Sequence, residues 1–258
     1  MRDGGLPQDW AGEPAATVTA TLLHARRMGE PADDRPLQDR LASEEEAYAV
    51  QDSLVRALGV VGQCAQHWKS GSPSRKEASK HSPLPSAGVL GSGSAVAVPG
   101  RCLVEAEIAL RTARAVTPEE ALVLTEETAE SVVGSMCVSI EILASRWKGG
   151  RGAAPLLRMA DLLSHGSLVL GRFVPFERRA WRLQPCNVRI GNAQPRHFRG
   201  SLGVESPLWV LPAWLRHATR NGATVPAGTL VSTGSWCGLL EAQAGESVTA
   251  EFPGIGSV

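Results

Sequence analysis

The chain has 258 residues, enough to bury a substantial hydrophobic core in one large or two small domains without disulfide or metal staples. Its 26 lysines and arginines balance its 26 aspartates and glutamates, so no global charge favours binding to nucleic acid or to an anionic membrane. No apolar run approaches about eighteen residues, the N-terminus carries no apolar leader, and the five cysteines lack metal-ligand spacing. We therefore expect a cytoplasmic protein with free thiols that binds neither nucleic acid nor a membrane.

Residues 1–70 are predicted to form an N-terminal helical region that packs on a core formed by residues 71–258. A first helix is indicated over 16–28, where arginines lie near the C-terminal end. Ser43 and Glu46 have the capping-box spacing that opens a second helix, and apolar residues then recur at helical intervals.

The segment 70–93 is the most polar part of the chain and is rich in serine, proline and glycine. This composition predicts a long loop with some order around 87–90. A loop of that length in a compact domain usually serves as a lid or a binding loop. Lys69 lies at its start, and from these residues alone it is best interpreted as a surface lysine.

The stretch 102–111, CLVEAEIALR, has the alternating pattern of a strand with one apolar face. Glu105 and Glu107 are two residues apart, so both carboxylates must lie on the opposite face. Two anions held so closely repel each other unless a proton or a cation intervenes. A divalent metal site and a solvated edge strand are therefore both compatible with this stretch.

A second alternating stretch, 136–143, carries Glu141 on its polar phase. Between the two stretches, residues 117–120 have the N-cap, proline and glutamate pattern that opens a helix, which we expect to run towards Gly134. The local order is therefore strand, helix, strand, and the three glutamates would meet if the two strands lie side by side.

The remaining elements are predicted from turn-forming residues and hydrophobic periodicity. An apolar segment spans 156–163, and 172–198 is strand-like and rich in arginine, which favours a solvated face. An apolar helix is expected over 207–220, where Asn-Gly ends it, and strands and turns over 229–258.

In this order, the stretches resemble the fumarylacetoacetase superfamily, and within it the branch of 2-keto-4-pentenoate hydratases and 4-oxalocrotonate decarboxylases. The resemblance covers nearly the whole chain. It rests on these segments: AYAVQ (47–51), WKSG (68–71), VEAEIAL (104–110), SIEIL and SRW (139–147), ADLLSHGSLVLG (160–171), AWL (213–215), TGS (233–235) and FPGIG (252–256).

The resemblance implies an α+β fold, a mixed β-roll with N-terminal helices, which usually assembles as a homo-oligomer and in some relatives forms a complex with another enzyme of the pathway. It also implies roles for individual residues. Those matched to the family are the metal ligands Glu105, Glu107 and Glu141 for Mg²⁺ or Mn²⁺, the catalytic residues Lys69 and Asp161, and the substrate-binding residues Ser164, Thr233, Gly234 and Ser235.

The function implied is hydration of a 2-hydroxy-2,4-dienoate, of the 2-oxopent-4-enoate type, to a 4-hydroxy-2-oxo acid in aromatic catabolism. Such a 2-oxo acid chelates a divalent cation, which stabilises the enolate. Lys69, desolvated beside Trp68 and close to a cation, is expected to have a lowered pKa and to carry protons. The alternatives are a 4-oxalocrotonate-type decarboxylase, an acylpyruvase-type C–C hydrolase and a non-catalytic oligomer partner.

Three positions depart from the family pattern. His67 and Ser70 flank the Lys69 motif where the family has glycine and an aliphatic residue, and Leu162 replaces an asparagine. Apart from the resemblance, Asp161 is typical of a helix cap or surface acid. His165 beside a glycine is typical of a structural histidine, and hydroxyls near glycine are ordinary turn residues.

Overall fold

The structure, a computed structural model, describes residues 14–60, 64–98, 100–200 and 203–258. These fall into a helical unit, residues 14–60 and 145–164, and a sheet unit comprising the rest. The few helices and the curled mixed sheet confirm the predicted α+β class and β-roll. Residues 1–13 and 61–63 of the predicted N-terminal region lie outside the described residues.

The α-helices of the described residues are α1 (Pro14–Met28), α2 (Glu44–Ala57), α3 (Pro118–Val123), α4 (Pro155–Ala160) and α5 (Leu211–Ala218). The strands of the same residues are β1 (His67–Gly71), β2 (Lys80–Pro83), β3 (Val89–Gly91), β4 (Arg101–Thr112), β5 (Val133–Leu143), β6 (His165–Leu170), β7 (Val174–Pro175), β8 (Pro185–Ile190), β9 (Arg196–Arg199), β10 (Leu230–Ser235), β11 (Leu240–Gln243), β12 (Val248–Phe252) and β13 (Gly256–Ser257).

The helical unit packs α1 and α4 against α2 around one apolar cluster that includes Val18, Leu54 and Leu157. The predicted cap of α2 is present, because the Ser43 side chain accepts a hydrogen bond from the Glu46 backbone N–H at 3.3 Å. Capping and an apolar face together explain why this segment is helical.

The sheet unit contains, among its described residues, a nine-stranded mixed sheet and a four-stranded sheet. The large sheet has the order β2-β1-β10-β4-β5-β6-β3, with β11 also paired to β4 and β7 to β5. The small sheet has the order β13-β12-β8-β9. Strands β4 and β5 are antiparallel neighbours near the centre of the large sheet, where β10 flanks β4 and β6 flanks β5.

The helix predicted towards Gly134 is wrong in its length, because α3 ends at Val123. Its capping box is present, but Leu124 is extended and the Thr125 backbone N–H bonds to the Thr128 hydroxyl at 2.9 Å. Such local side-chain bonds compete with the helix. The connection therefore links two antiparallel strands and forms no crossover between parallel ones.

The long loop predicted over 70–93 is interrupted by β2 and β3. β2 pairs with β1 and β3 pairs with β6, so these two parts of the polar segment bond their backbone within the sheet. The two units also divide the chain differently from the predicted regions 1–70 and 71–258. β1, with Lys69, belongs to the sheet unit, and residues 145–164 belong to the helical unit.

Candidate metal centre

The three predicted metal-ligating glutamates come together on one face of β4 and β5. Glu105 lies directly opposite Glu141 in the antiparallel register, and Glu107 lies opposite Ser139. One carboxylate oxygen from each glutamate lies within 4.8 Å of those of the other two. The alternation predicted from the sequence thus produces a cluster of three acids.

This cluster is largely removed from solvent. Glu107 is 3% exposed and Glu141 is 1% exposed. Burial, with repulsion from Glu141 and Glu105, holds the pKa of Glu107 well above its usual range, although the Ser232 hydroxyl and Lys69 partly oppose the shift. The cluster is therefore electrostatically strained as an assembly of anions.

Lys69 reaches this cluster from β1. Its Nζ lies 2.5 Å from Glu141 Oε1, and its side chain is 13% exposed. Burial lowers the pKa of Lys69, but attraction to Glu141 and Glu105 outweighs burial and leaves that pKa raised. The lowered pKa expected from the sequence assumed a nearby cation, and the protein's own groups act in the opposite direction.

His165, at the start of β6, also contacts Glu141, with Nδ1 3.4 Å from Oε1. Burial raises the pKa of Glu141, but Lys69 and His165 outweigh it and leave that pKa below its usual value. Sequence reasoning treated His165 as structural, whereas the sheet brings it to the acids.

The donor set fits a hard divalent cation. Glu141 Oε2 is buried and makes no hydrogen bond within the described part of the chain, while Oε1 of the same carboxylate accepts from Lys69. A buried anionic oxygen without a partner is costly, and a cation among carboxylate oxygens would satisfy it. Glu105, Glu107 and Glu141 are the residues that could hold such an ion.

Two buried serines complete this face and were missed by sequence reasoning. The Ser232 hydroxyl on β10 donates a short hydrogen bond to Glu107 Oε2, and Ser139 Oγ lies 3.1 Å from Ser232 Oγ. Ser139 is in phase with Glu141 along β5, which was a usable signal. Ser232 gave none, because its place beside Glu107 depends on strand pairing across 125 residues.

The predicted TGS turn lies at a bulge of β10. Ser232 pairs with Ala109 and Ser235 with Glu107, so Thr233 and Gly234 together face one residue of β4. Gly234 has a φ of +95°, a conformation that favours glycine. The bulge keeps Ser232 and Ser235 on the same face as Glu107, which strict alternation would not do.

The hydroxyls of this turn are already engaged with the backbone. Thr233 Oγ1 donates to the Ile108 carbonyl at 2.7 Å, and Ser235 Oγ donates to the Gly238 carbonyl at 3.1 Å. Thr233 is 1% exposed, whereas Ser235 is half-buried. Of the two hydroxyls in this turn, that of Ser235 is therefore the more accessible to a substrate.

Asp161 and Ser164 lie in the helical unit. Asp161 is fully buried, accepts from Arg26 at 3.1 Å through Oδ1, and accepts from the Arg146 backbone N–H at 2.8 Å through Oδ2. Burial raises the pKa of Asp161 despite the two arginines. These are the contacts of a buried ion-pair network, and the catalytic role of Asp161 stays a prediction.

The turn after Asp161 is strained. Leu162, Leu163 and Ser164 have φ values of 50°, 54° and 61°, the left-handed region that residues other than glycine rarely adopt in succession. The Ser164 backbone N–H donates to the Asp161 carbonyl at 2.8 Å and closes the turn. The leucine that replaces the family's asparagine at 162 thus lacks the side chain best suited to this backbone.

The model of the fumarylacetoacetate (FAA) hydrolase C-terminal family matches residues 59–258, which include every strand described above. The chain belongs to this family. The match agrees with the superfamily inferred from the sequence motifs. No curated protein sequence matches the chain.

Solved structures with the same fold include two of 4-oxalocrotonate decarboxylase from Pseudomonas putida G7. The one complexed with calcium and acetate has 18% identity and a TM-score of 0.74, and the one complexed with magnesium and adipate has 18% identity and 0.76. Both alignments cover 98% of this chain and 97% of the other. 2-Hydroxyhepta-2,4-diene-1,7-dioate isomerase from Mycobacterium marinum has 15% identity and a TM-score of 0.54, over 76% and 73% of the two chains.

The described helices include none that is both long enough and apolar enough to cross a membrane.

Proposed function

We propose that this chain is a metal-dependent lyase that adds water to a 2-hydroxy-2,4-dienoate and yields a 4-hydroxy-2-oxo acid in the breakdown of aromatic compounds. The observation that carries the proposal is the buried cluster of Glu105, Glu107 and Glu141 with Lys69 at its edge. Family membership and the fold support it.

Glu105, Glu107 and Glu141 would hold Mg²⁺ or Mn²⁺. The bound ion would supply Lewis acidity, which stabilises negative charge on the oxygens of a 2-oxo acid. The calcium and magnesium in the two decarboxylase structures support a divalent ion in this fold. The arrangement of oxygen donors favours such hard cations over softer metals.

Lys69 is the proposed proton carrier. Its ammonium group is held at 2.5 Å from Glu141, and attraction to the carboxylates raises its pKa in the metal-free protein. A protonated lysine beside the dienolate can deliver a proton to carbon in the tautomerisation, and the resulting amine can accept one when water adds. Its partial exposure leaves a route for exchange with solvent.

The turn 233–235 is the proposed contact for the substrate carboxylate, with Ser235 supplying its hydroxyl and Thr233 and Gly234 their backbone. Ser164 remains a proposed substrate contact. The catalytic role of Asp161 remains a proposal, and the engagement of both its oxygens with Arg26 and Arg146 supports a structural role as the alternative. A homo-oligomer, alone or with a pathway enzyme, and a cytoplasmic location are part of the same proposal.

Vinylogous decarboxylation of 4-oxalocrotonate is the second candidate. It is favoured by the near-complete coverage of the two decarboxylase structures, whereas the isomerase alignment covers 76% of this chain. Both reactions pass through a similar enolate, so the same carboxylates and lysine serve either. They differ in whether a second substrate carboxylate is accommodated.

The deciding experiment follows the absorbance of 2-hydroxypenta-2,4-dienoate and of 4-oxalocrotonate, each with Mg²⁺ and with EDTA. Decay of the dienoate that EDTA abolishes supports the hydratase. Decay of oxalocrotonate alone selects the decarboxylase. No decay of either, with Mg²⁺ still bound by calorimetry, contradicts both and leaves the C–C hydrolase or the non-catalytic partner.

Lys69→Ala tests the proton carrier on whichever substrate reacts. We expect kcat to fall by about 10²–10⁴-fold, the usual contribution of a general acid or base, while Mg²⁺ binding persists. Lys76→Ala, at an exposed lysine of the next loop, is the matched control and should leave kcat unchanged. Equal activity of the two variants would remove Lys69 from the mechanism.

A further inference from the structure

Behind Glu107 lies a chain of two buried hydroxyls, whose direction of donation is fixed when Glu107 is ionised, as a metal ligand must be. Ser232 and Ser139 are both fully buried. A serine hydroxyl carries one proton, and that of Ser232 is donated to Glu107 Oε2. Ser139, at 3.1 Å, must therefore be the donor to Ser232. The order of donation is Ser139 to Ser232 to Glu107.

This support distinguishes Glu107 from Glu141. Glu141 Oε1 accepts from Lys69, and its Oε2 makes no hydrogen bond with any described residue. Glu107 instead has Oε2 held by a neutral donor, which occupies one acceptor site of that oxygen and fixes the rotation of the carboxylate. Its other oxygen is then the one best placed to act as a ligand.

We propose that Ser232, supported by Ser139, holds Glu107 as a one-oxygen ligand and thereby makes the centre prefer Mg²⁺ to Ca²⁺. This proposal rests on the proposed function, since it requires a divalent ion among the three glutamates. Mg²⁺ demands near-octahedral geometry and takes carboxylates through single oxygens, whereas Ca²⁺ accepts more oxygens and bidentate carboxylates. Ser232 is a positioning residue, because it touches the ligand and neither the ion nor the substrate.

Strand pairing explains why the hydroxyls stay in place. Ser139 of β5 lies opposite Glu107 of β4, and Ser232 of β10 lies opposite Ala109 of β4. Each serine therefore lies beside Glu107 on the same face. Both strands are interior to the large sheet, which restrains their backbones. Groups that orient a metal ligand in this way commonly change metal affinity by about 10–100-fold when removed.

The test is calorimetric titration of the metal-free full chain with MgCl₂ and with CaCl₂. We expect Ser232→Ala to weaken Mg²⁺ binding by about tenfold and Ca²⁺ binding by less than about threefold, because the freed carboxylate can take Ca²⁺ through both oxygens. Ser139→Ala should shift the ratio of the two affinities in the same direction by less. Ser232→Thr keeps the hydroxyl and should restore the ratio.

Ser53→Ala is the control, since it removes a buried hydroxyl from α2 that bonds to the Ala49 carbonyl. An unchanged ratio in Ser232→Ala, or an equal loss for both ions, would overturn the proposal. If Ser232→Ala does not fold, Ser139→Ala carries the test, and an unchanged ratio there overturns it equally. A wild-type chain that binds neither ion refutes the proposed function itself, a distinct result.

Discussion

The helical unit and the sheet unit each bury acidic side chains, but they balance the charge differently. In the helical unit one carboxylate, Asp161, faces two guanidinium groups, with Arg26 at 3.1 Å and Arg146 at 3.6 Å. In the sheet unit three clustered carboxylates, those of Glu105, Glu107 and Glu141, have the ammonium group of Lys69 beside them, with its Nζ 2.5 Å from Glu141.

This difference in local charge shows which buried acids still need a bound cation. Both oxygens of Asp161 are satisfied by the chain itself, so this carboxylate requires no further cation. The glutamate cluster has an excess of negative charge and one buried oxygen without a hydrogen bond in the described structure. A buried acid therefore indicates a metal centre only when the nearby cations are too few to balance it.

The largest effect should come from removing the charge of Asp161, the one carboxylate that faces Arg26 and Arg146. Asp161→Asn leaves two largely buried guanidinium groups without their anion, and we expect the free energy of unfolding to fall by about 3–5 kcal/mol. Urea denaturation at constant m-value measures this change. Asp33→Asn is the matched control, because the side chains of Asp33 and Arg35 are 36% and 84% exposed, and the loss of this solvent-screened pair should change the free energy of unfolding far less.

Equal losses in the two aspartate variants would contradict a structural role for Asp161. Unchanged stability with loss of turnover would instead restore Asp161 to the catalytic residues.

Removing a charge from the glutamate cluster should instead stabilise the metal-free protein. Glu107→Gln removes a buried charge that Glu141 and Glu105 repel, so the metal-free protein should unfold at a higher temperature. Mg²⁺ affinity should fall by about 100-fold, or about 2.7 kcal/mol. Thermal unfolding in EDTA and in MgCl₂, with calorimetry, measures both.

Glu241→Gln, at an exposed glutamate 3.6 Å from Arg101, is the control and should change neither quantity. A Glu107→Gln protein with lower stability in EDTA would show that the carboxylate contributes to folding without a metal.

Two buried histidines, His81 and His217, extend the comparison, because burial and neighbouring cationic groups act on their pKa values in the same direction. Burial, aided by Arg220, lowers the pKa of His81 to about 3, and burial with His81 and Arg220 lowers that of His217 to about 2. Their rings stack at 4.9 Å between centroids. Both histidines are therefore neutral in the folded chain at neutral pH.

The sign of the pH effect follows from these lowered values. Below about pH 6.5 the unfolded chain binds protons that the folded chain does not, so stability is lost as the pH falls. Each histidine should reduce the free energy of unfolding by about 2 kcal/mol at pH 5. Denaturation at pH 7 and pH 5 tests this, and His217→Gln should remove its share of the slope. An unchanged slope in that variant would contradict the assignment.

Local patterns predicted that the three glutamates lie on polar faces of their strands. The alternation of 102–111 and 136–143 was sufficient to place Glu105, Glu107 and Glu141 on polar faces, because a strand permits only two directions for its side chains. The N-cap of α2 and the capping box of α3 were also readable, since they depend on residues three positions apart.

Features that depend on distant pairing were not predictable in this way. The partners Ser232 and Glu107 are 125 residues apart, and Arg26 and Asp161 are 135 apart. The strands within 70–93 form because β1 and β6 offer them edges, although their own composition favours a loop. The sequence identifies which groups can react, whereas the pairing decides which of them meet.

The smallest predicted effect separates the strain of the turn after Asp161 from the charge of Asp161 itself. Ser164 has a φ of 61° and is only partly buried, so Ser164→Gly relieves the left-handed strain without opening a cavity. We expect the free energy of unfolding to rise by about 0.5–1 kcal/mol, after the greater freedom of glycine in the unfolded chain is counted.

Leu162→Gly relieves the same strain but deletes a fully buried side chain, and should destabilise the protein by more than about 2 kcal/mol. Opposite signs for these two variants in urea denaturation would show that the backbone of this turn costs energy and that the packing of Leu162 retains it. Destabilisation by Ser164→Gly would mean that the hydroxyl of Ser164 contributes more than its backbone costs.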